Sequence, residues 1–340
     1  MGRNQDILVS VVMPSFNEET HIQQAVESLI DDYFRENCEL IVVDGMSVDG
    51  TGEMVAGLQH TGIRLKHLEN ENRTQAFGLN LGIMEARGRY IVRADAHCIY
   101  PPGYVKSCVT LLEKTGAGNV GGMMLPEGKD DYQKAIALAF QHPLGVGDAK
   151  WHLGRFQGDV DTVYLGNYRR DLFDKIGLFD TNCRTNEDSE LDIRILKAGK
   201  RVYLDSTIQV VYFPRETFRK LVKQYFFYGK GRAYTTFKHR RITSWRQLAP
   251  QCLVLGLSVS CILSLWQPLF LLFPALYVGS VFSISLLSWR KCRRITEKQR
   301  LLMAAACILM HISWGVGFLA HALSRQLLRK KAAVKRERDE

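Results

Sequence analysis

The stretch RYIVRADAH, residues 89–97, contains an apolar run followed by side chains that could bind a metal ion or a phosphate. The run Tyr90–Val92 is typical of a buried strand, and Asp95 and His97 follow it with one residue between them. An acidic side chain at the end of a buried strand is well placed to bind a divalent cation through its carboxylate oxygens. Imidazole is a fair ligand for Mn²⁺ and a poor one for Mg²⁺. As a cation or an N–H donor, His97 can instead contact a phosphate oxygen directly.

Two further strand-like runs, residues 7–13 and 40–43, also stop at polar residues. Strand-like and helix-like segments alternate as far as residue 93, which predicts an open, mostly parallel α/β sheet with right-handed crossovers. Ligands of such sheets bind at the carboxyl ends of the strands, so the polar residues there are expected to share one site. They are Ser15, Asn17 and Glu18 after the first strand, Asp44, Ser47 and Asp49 after the second, and Asp95 and His97.

The residues after the first strand indicate how a nucleotide would be held. The sequence PSFNEE stands where a dinucleotide fold needs G-x-G-x-x-G, and the chain has no Walker-type phosphate loop. A nucleotide held by carboxylates and a metal ion therefore fits the sequence better than one held by a glycine-rich loop.

Two uncharged stretches towards the C-terminus predict a membrane part. No Asp, Glu, Lys or Arg occurs from Gln247 to Trp289 or from Leu301 to Ser324. A membrane-spanning helix needs about 20 apolar residues, so the first stretch is long enough for two closely spaced spans and the second for one. A buried protein core is the alternative, although so long an uncharged series is unusual for a core.

The positive charge is concentrated in the same region. Residues 216–340 hold 22 Lys and Arg against 5 Asp and Glu, net +17, whereas residues 1–215 carry a net −7, which gives the overall +10. Because the basic clusters flank apolar stretches, we expect anionic lipid headgroups as their partner and no nucleic acid. With no apolar leader and with eight singly scattered cysteines, residues 1–215 are expected in the cytoplasm with reduced thiols.

These patterns predict a multi-pass protein of the inner (plasma) membrane. A cytoplasmic domain covers residues 1–215, and two or three hydrophobic helices lie within residues 247–324. Residues 216–246 form an interfacial segment with aromatic anchors, and residues 325–340 form a basic tail.

The basic clusters create a conflict over the topology. Residues 238–246, 290–300 and 325–338 are all expected in the cytoplasm, but a simple third span would place the tail outside. Either this rule is overridden, or Leu301–Leu323 is a re-entrant or interfacial element; we expect the tail inside. His311 within this stretch is a functional candidate, and a helix-helix hydrogen bond is the favoured alternative.

Five stretches of the chain carry a family resemblance. They are VVMPSFNEE, IVVDGMSVDGT, RTQAFGLNLGIMEARGRYIVRADAH, GNYRRDLFDKIGLFD and NEDSELDIRILKAGKRVYL. In order and spacing they resemble the inverting glycosyltransferases of family 2, which have a GT-A fold. Within these, the chain is most similar to the succinoglycan-type exopolysaccharide glucosyltransferases, which share the D-A-H variant and a membrane tail. The resemblance covers residues 7–232.

The resemblance implies roles for particular residues. Asp188 looks like the general base that takes a proton from the acceptor hydroxyl. Asp95 and His97 take the positions of the family's acid-x-acid pair, which implies Mn²⁺ or Mg²⁺ as a cofactor. The implied nucleotide-sugar contacts are Pro14, Glu18, Asp44, Arg73, Asp95 and Arg232, and the implied acceptor side is Gly166, Asn167 and Glu187.

The chemistry gives Asp188 a second interpretation. An in-line displacement needs a carboxylate near the acceptor, on the face opposite the leaving group. However, Asp188 also lies among acids at the start of an expected helix, residues 188–198, where they stabilise the helix dipole. Without the other motifs the structural interpretation is favoured, and with them the catalytic one is.

The expected function is transfer of a sugar, with glucose as the first guess, from a UDP-sugar to a lipid-linked saccharide. Transfer to a polyprenyl phosphate is one alternative, and a non-catalytic membrane protein that keeps the sugar-nucleotide fold is another. Processive members of the family carry Q-x-x-R-W before the membrane, and Gln224–Tyr228 lacks its Arg and Trp, which puts polymer synthesis in doubt.

Overall fold

The chain forms a nine-stranded mixed sheet and a separate group of helices in the computed structural model, which describes residues 7–242, 244, 247–290, 292 and 294–339. Residues 1–6, on which the expected lack of a leader partly depends, lie outside these, as do the basic side chains beyond residue 326. The chain divides into two compact units. The sheet unit is Met1–Leu125 with Lys150–Phe213, and the helical unit is Pro126–Ala149 with Pro214–Glu340.

Four parallel strands form one half of the sheet, as predicted. The strand order is β3-β2-β1-β4-β8-β6-β9-β5, and β7 pairs with β9. Strands β3, β2, β1 and β4 are parallel, and β8 is antiparallel to β4. The strands are β1 (Val9–Ser15), β2 (Cys38–Asp44), β3 (Arg64–Glu69), β4 (Tyr90–Arg93), β5 (Cys98–Ile99), β6 (Asn119–Pro126), β7 (Gln157–Asp159), β8 (Tyr164–Arg169) and β9 (Val202–Tyr212).

The helices cover the sheet in one unit and pack on one another in the other. In chain order they are α1 (Ile22–Leu29), α2 (Asp32–Asn37), α3 (Thr51–Gly57), α4 (Gln75–Glu85), α5 (Tyr104–Thr115), α6 (Asp131–Phe140), α7 (Pro143–Val146), α8 (Asp171–Ile176), α9 (Glu187–Lys197), α10 (Phe218–His239), α11 (Ala249–Leu263), α12 (Leu272–Leu287) and α13 (Glu297–Asp339). Short 3-10 turns cover Leu58–Thr61 and Pro268–Leu271.

Helix α4 packs closely on the parallel strands. All seven residues of β2 are buried, as expected of a strand covered on both faces. Gly82 lets α4 approach β1 closely, since a Cβ atom at this position would lie 2.4 Å from Val12 Cγ1. Leu79 of α4 belongs to the same buried core as Ile41 and Ile91 of the sheet. The close contact holds the helix in register with the strand ends that carry the polar residues.

The segment 126–149 departs from the expected domain boundary. It was expected within a first domain of residues 1–215, but it clusters with the C-terminal helices. Helix α6 packs along α13, and Asp131 accepts hydrogen bonds from Lys298 Nζ (2.7 Å) and Gln299 Nε2 (2.9 Å). The boundary differs because long-range packing on α13, which local sequence does not reveal, determines where this segment lies.

Among the residues that the structure describes, two helices of the helical unit have the length and composition to cross a membrane. They are Pro268–Leu287 and Glu297–Gln326, while the apolar helix Ala249–Leu263 is shorter. Helix α11 ends at Leu263 and a 3-10 turn begins at Pro268, so the first uncharged stretch holds two separate helices. Helix α13 runs without interruption for 43 residues. The re-entrant interpretation of Leu301–Leu323 is therefore wrong, because a re-entrant element must reverse direction.

His311 has a packing role in the helical unit. Its Nδ1 lies 2.9 Å from Tyr277 Oη on α12, and its Nε2 lies 2.7 Å from the backbone oxygen of Leu144 on α7. The helix-helix hydrogen bond favoured from the sequence is thus confirmed.

Aromatic side chains of α10 pack on the protein, although we expected them to be interfacial anchors. The Tyr225 ring lies 6.0 Å from that of Phe140, and the Phe237 ring lies 6.1 Å from that of Phe318. A Cβ atom on Gly229 would lie 2.0 Å from the backbone oxygen of Trp314. Such a glycine contact brings α10 and α13 close enough for these rings to meet across the helices.

The contact between α4 and β1 predicts opposite effects of alanine at two helical glycines. Gly82→Ala should lower the thermal unfolding midpoint, because overpacking of this kind costs about 1–3 kcal/mol. Gly52→Ala, in α3, meets nothing within 4 Å and should be neutral or stabilising by about 0.5–1 kcal/mol through reduced chain entropy. Differential scanning fluorimetry in detergent measures both. Equal midpoints for the two variants would contradict the close packing.

Candidate active site

The loops after β1 and β2 are tied together around Asp44. Ser15 Oγ donates to Asp44 Oδ1 at 3.3 Å, and the Ser47 amide donates to Asp44 Oδ2 at 2.9 Å. Ser47 Oγ donates to Asp44 Oδ1 at 2.5 Å and accepts from the backbone N–H of Asn17 at 2.8 Å. The polar residues of the first two strand ends therefore do share one site, as their positions in a parallel sheet require.

The third strand end joins this cluster through His97. Its Nδ1 lies 3.1 Å from Glu18 Oε1, and the Glu18 amide donates to Thr51 Oγ1 at 2.8 Å. The His97 ring also meets Tyr212 edge-on, with 5.5 Å between the centroids. Both members of the Glu18–His97 pair keep part of their surface accessible, so either can meet a ligand.

Four loop residues around the site adopt left-handed backbone conformations. Asn17, Met46, Arg73 and Asn186 have φ values of 56°, 60°, 55° and 61°. Such values are uncommon for residues other than glycine, and strained residues of this kind collect where a loop must present groups to a ligand. Asn186 directly precedes α9, so its conformation helps to set the direction in which Glu187 and Asp188 leave the loop.

Arg93 is a functional candidate that the sequence analysis missed. Its side chain is 5% exposed, yet it contacts three carboxylates. Nε donates to Asp95 Oδ1 at 3.2 Å, Nη1 donates to Glu187 Oε1 at 3.3 Å, and Nη1 also donates to Asp188. The available signal was a basic residue at the last position of a strand that is otherwise apolar.

Gln75, at the start of α4, completes the cluster. Its amide nitrogen lies 3.4 Å from Asp95 Oδ1. With the amide turned over, its oxygen accepts from Arg93 Nη2 at 2.5 Å and its nitrogen donates to Glu187 Oε1 at 3.3 Å, which satisfies both atoms better. A neutral residue thus closes the ring of charges between α4, β4 and α9.

Burial shifts the proton equilibria of this cluster. Burial works against the charged form of Arg93, but Asp188, Asp95 and Glu187 together hold its pKa well above the usual value. Burial, reinforced by the Asp188 carboxylate and opposed by Arg93, raises the pKa of Glu187 to about 7. Burial also raises the pKa of Asp188 against the attraction of Arg93. Both shifts make these carboxylates stronger proton acceptors than exposed acids.

Gly166 and Asn167 were expected on the acceptor side, and the structure gives both a packing role. Asn167 is fully buried, and its Nδ2 donates to the backbone oxygens of Val120 (3.0 Å) and Leu165 (2.9 Å). A Cβ atom on Gly166 would lie 2.2 Å from Tyr168 Oη. Both residues lie on the largely buried strand β8, and their place on the acceptor side stays a prediction.

Three other expected nucleotide contacts have different surroundings. Pro14 lies within β1 and pairs with Val43. Arg73 is exposed on the loop after β3, and its backbone amide bonds to the Asn70 oxygen at 3.0 Å. Arg232 lies on α10 in the helical unit, so the sheet unit by itself does not place it in the site.

Asp95 and His97 fit part of a metal coordination shell. Among the residues that the structure describes, no group of three or more His, Cys, Asp or Glu is arranged to hold a metal ion. The contact of Asp95 with Arg93 uses Oδ1. One or two protein ligands completed by substrate phosphates are a common way to bind Mg²⁺. The donor set therefore suits a cation that arrives with a diphosphate.

The mixed sheet, with acidic residues at the ends of its parallel strands, has the architecture of the GT-A fold. The fold is similar to that of the mannosyltransferase PcManGT from Pyrobaculum calidifontis, solved with GDP-Man and Mn²⁺ (TM-score 0.58, 21% identity, 92% of this chain and 86% of that one). It is also similar to S. aureus TarS 1-349 in complex with UDP-GlcNAc (TM-score 0.52, 15% identity, 94% and 92%).

Sequence comparison gives the family. Residues 10–177 match the model of glycosyl transferase family 2. The chain is 31% identical over 314 residues to the succinoglycan biosynthesis protein ExoA of Rhizobium meliloti, which covers 91% of this chain and 93% of that protein. It is 28% identical over 235 residues to a Methanococcus voltae dolichyl N-acetyl-alpha-D-glucosaminyl phosphate 3-beta-D-2,3-diacetamido-2,3-dideoxy-beta-D-glucuronosyltransferase, covering 66% and 72%. The chain belongs to glycosyltransferase family 2 and is a glycosyltransferase with a GT-A fold.

A buried acid behind the site predicts a pH-dependent stability. Burial raises the pKa of Asp192 to about 8, although Asn119 Nδ2 donates to its Oδ1 at 2.6 Å. Between its unfolded pKa near 4 and this value, the folded state binds a proton that the unfolded state has lost, so this contribution to stability declines as pH rises. Asp192→Asn stays neutral and should remove the decline.

Denaturant unfolding of both proteins from pH 5 to 8 measures this effect. The stability of Asp192→Asn relative to the unsubstituted protein should increase with pH, while the exposed control Asp174→Asn should follow the unsubstituted protein. Parallel pH curves for Asp192→Asn would show that Asp192 is ionised in the folded state.

Proposed function

We propose that the protein transfers a sugar from a UDP-sugar, with glucose as the first candidate, to a lipid-linked saccharide with inversion at the transferred carbon. The observation that carries the proposal is the contact of Asp95 and Asp188 with the same guanidinium, that of Arg93. It places an acid suited to the donor's cation beside an acid suited to the acceptor. The relatives named for succinoglycan biosynthesis and for a dolichyl-linked sugar support an acceptor of this class.

The donor half of the proposed site lies at the ends of β1, β2 and β4. Asp44 is the proposed contact of the uracil or ribose, and Pro14, Glu18 and Arg73 are proposed to surround the nucleotide. Hydrogen bonds from Ser15 and Ser47 orient the Asp44 carboxylate, which fixes the direction in which it can accept from a ligand. Arg232 is a proposed phosphate contact.

A divalent cation, Mn²⁺ or Mg²⁺, is proposed at Asp95 and His97. When bound, the cation neutralises the charge that develops on the leaving diphosphate. Asp95 offers carboxylate oxygens, and His97 offers an imidazole whose orientation is restrained by Glu18 and Tyr212. This restraint keeps His97 facing the same strand end whether it binds the metal or a phosphate oxygen.

Asp188 is the proposed general base. Its side chain keeps 27% of its surface accessible while Arg93 contacts Oδ1, so a hydroxyl can approach the carboxylate. The acceptor hydroxyl gives its proton to Asp188, its oxygen bonds to the anomeric carbon, and the bond between that carbon and the diphosphate oxygen breaks to release UDP. One displacement of this kind inverts the configuration. Glu187 is proposed to border the acceptor.

The apolar helices are proposed to hold this site at the cytoplasmic face of the inner (plasma) membrane. Two candidate spans, Pro268–Leu287 and Glu297–Gln326, suit a multi-pass anchor. Such an anchor keeps a water-soluble donor site beside an acceptor that cannot leave the bilayer. The basic tail is proposed to remain in the cytoplasm, where anionic headgroups attract it.

The proposal predicts that Asp188 is needed for transfer. In a panel of UDP- and GDP-sugars with lipid-linked saccharide, UDP-sugars should support transfer, and Asp188→Asn should reduce kcat by about 10²–10⁴-fold, the usual contribution of a general base. Calorimetric binding of UDP should persist, and Asp174→Asn is the control. A GDP-sugar preference would contradict the donor. Near-normal kcat for Asp188→Asn would indicate an acceptor that is already anionic, such as a polyprenyl phosphate.

If His97 is a metal ligand, it should influence whether the protein is more active with Mn²⁺ or with Mg²⁺. Because aspartate supplies oxygen in place of nitrogen, His97→Asp should shift activity from Mn²⁺ towards Mg²⁺ if His97 is a ligand. Rates measured with each cation, and with a chelator, test this, and Glu18→Gln reports the effect of losing the Glu18 charge beside His97. An unchanged metal preference with weaker UDP binding would instead make His97 a phosphate contact.

A further inference from the structure

Arg93 connects two acids to which the proposed function gives separate tasks. Asp95 follows β4, and Asp188 lies 95 residues from Arg93 in the first turn of α9. Nε of the guanidinium serves Asp95, while Nη1 serves Glu187 and Asp188. The planar guanidinium has a fixed fork of donors, so a change at one of these carboxylates alters the direction and strength of the bonds to the others.

The charge balance makes this sharing consequential. Three carboxylates surround one guanidinium in a region where Arg93 and Glu187 are each 5% exposed at the side chain. Little water is available to compensate a carboxylate that loses its share of Arg93. Electrostatic interactions are strong in such surroundings. The acids therefore compete for the same cation.

We propose that Arg93 is a positioning residue that couples the donor side of the site to the acceptor side by sharing its guanidinium between Asp95 and Asp188. The inference rests on the proposed function, which assigns those two sides. A diphosphate with its cation at Asp95 weakens the hold of Asp95 on Arg93, and Arg93 then pairs more fully with Asp188. The base is thereby oriented when the donor is bound.

The coupling works in both directions, as linkage between two sites requires. Removing the charge of Asp188 leaves Arg93 to pair more fully with Asp95. Asp95 then has less negative charge to offer the cation and its diphosphate. Asp188→Asn should consequently weaken binding of UDP with Mn²⁺, although Asp188 is assigned to the acceptor.

A direct electrostatic effect of the Asp188 charge on the bound cation predicts a different pattern. Loss of the Asp188 charge would again weaken cation binding, but the effect would remain, or increase, once Arg93 is removed. Under the proposed coupling the effect disappears with Arg93. The comparison of Asp188→Asn in two backgrounds therefore separates the mechanisms.

The second background must not leave the buried acids uncompensated, because removing one partner of a buried ion pair is strongly destabilising. Arg93→Met combined with Glu187→Gln removes one positive and one negative charge and so keeps the formal charge of the cluster. Arg93→Lys is a second background, which retains a cation and loses the fork. Thermal unfolding in detergent verifies that each protein folds.

The experiment is calorimetric titration of UDP in the presence of Mn²⁺ with the full chain in detergent. In the unsubstituted background, Asp188→Asn is expected to raise Kd by about fivefold or more, in the usual range of coupling between sites. The same substitution should change Kd by less than about twofold in the Arg93→Met/Glu187→Gln background. In Arg93→Lys the effect should fall to less than half of its original size.

Equal effects of Asp188→Asn in all backgrounds, or none in the unsubstituted one, would overturn the coupling while leaving UDP binding intact. Failure of the unsubstituted protein to bind UDP would overturn the proposed donor class and the coupling with it. A further measurement separates positioning from a general structural role: Arg93→Lys should lower kcat for transfer more than it raises the KM for the UDP-sugar. A change confined to KM would contradict the positioning role.

Discussion

The buried positive charge of Arg93 constrains the rest of the site. A guanidinium taken out of water requires compensation by charge and hydrogen bonds, and here Asp95, Glu187 and Asp188 provide it. These partners belong to two distant parts of the chain, so the end of β4 and the start of α9 must meet for the charge to be tolerated. The same contact then brings the carboxylate proposed to serve the donor beside the carboxylate proposed to serve the acceptor.

The strand pairing explains why this contact forms at one edge of the sheet in the sheet unit. Parallel pairing of β1 with β2 and β4 places their carboxyl ends side by side, and β8, which contains Gly166 and Asn167, pairs antiparallel with β4. Gly82 allows α4 to lie close enough for Gln75 to reach the charged cluster. Left-handed residues such as Asn17 and Asn186 turn the loops at that edge. Packing and loop geometry thus serve the same set of acids.

Much of this arrangement was predictable from local patterns. The alternation of strand-like and helix-like segments predicted the parallel strands. Asp44 and Asp95 were expected close together because the carboxyl ends of parallel strands lie at one edge of the sheet. Arg93 was not predicted, since its carboxylate partners on α9 lie 94 and 95 residues away and no periodicity links them. The position of residues 126–149 depends on tertiary packing against α13, and the burial of Asn167 depends on neighbours contributed by β6 and β8. Local sequence carries no record of these contacts.

Asp188 is proposed to accept the proton of a hydroxyl in a single displacement at the donor sugar. The anomeric configuration of the product tests this claim most directly, because one displacement inverts the reacting carbon. With an α-linked UDP-sugar as donor, we expect nuclear magnetic resonance of the purified product to show a β-linkage. An α-linkage would mean retention of configuration, and it would contradict the role given to Asp188.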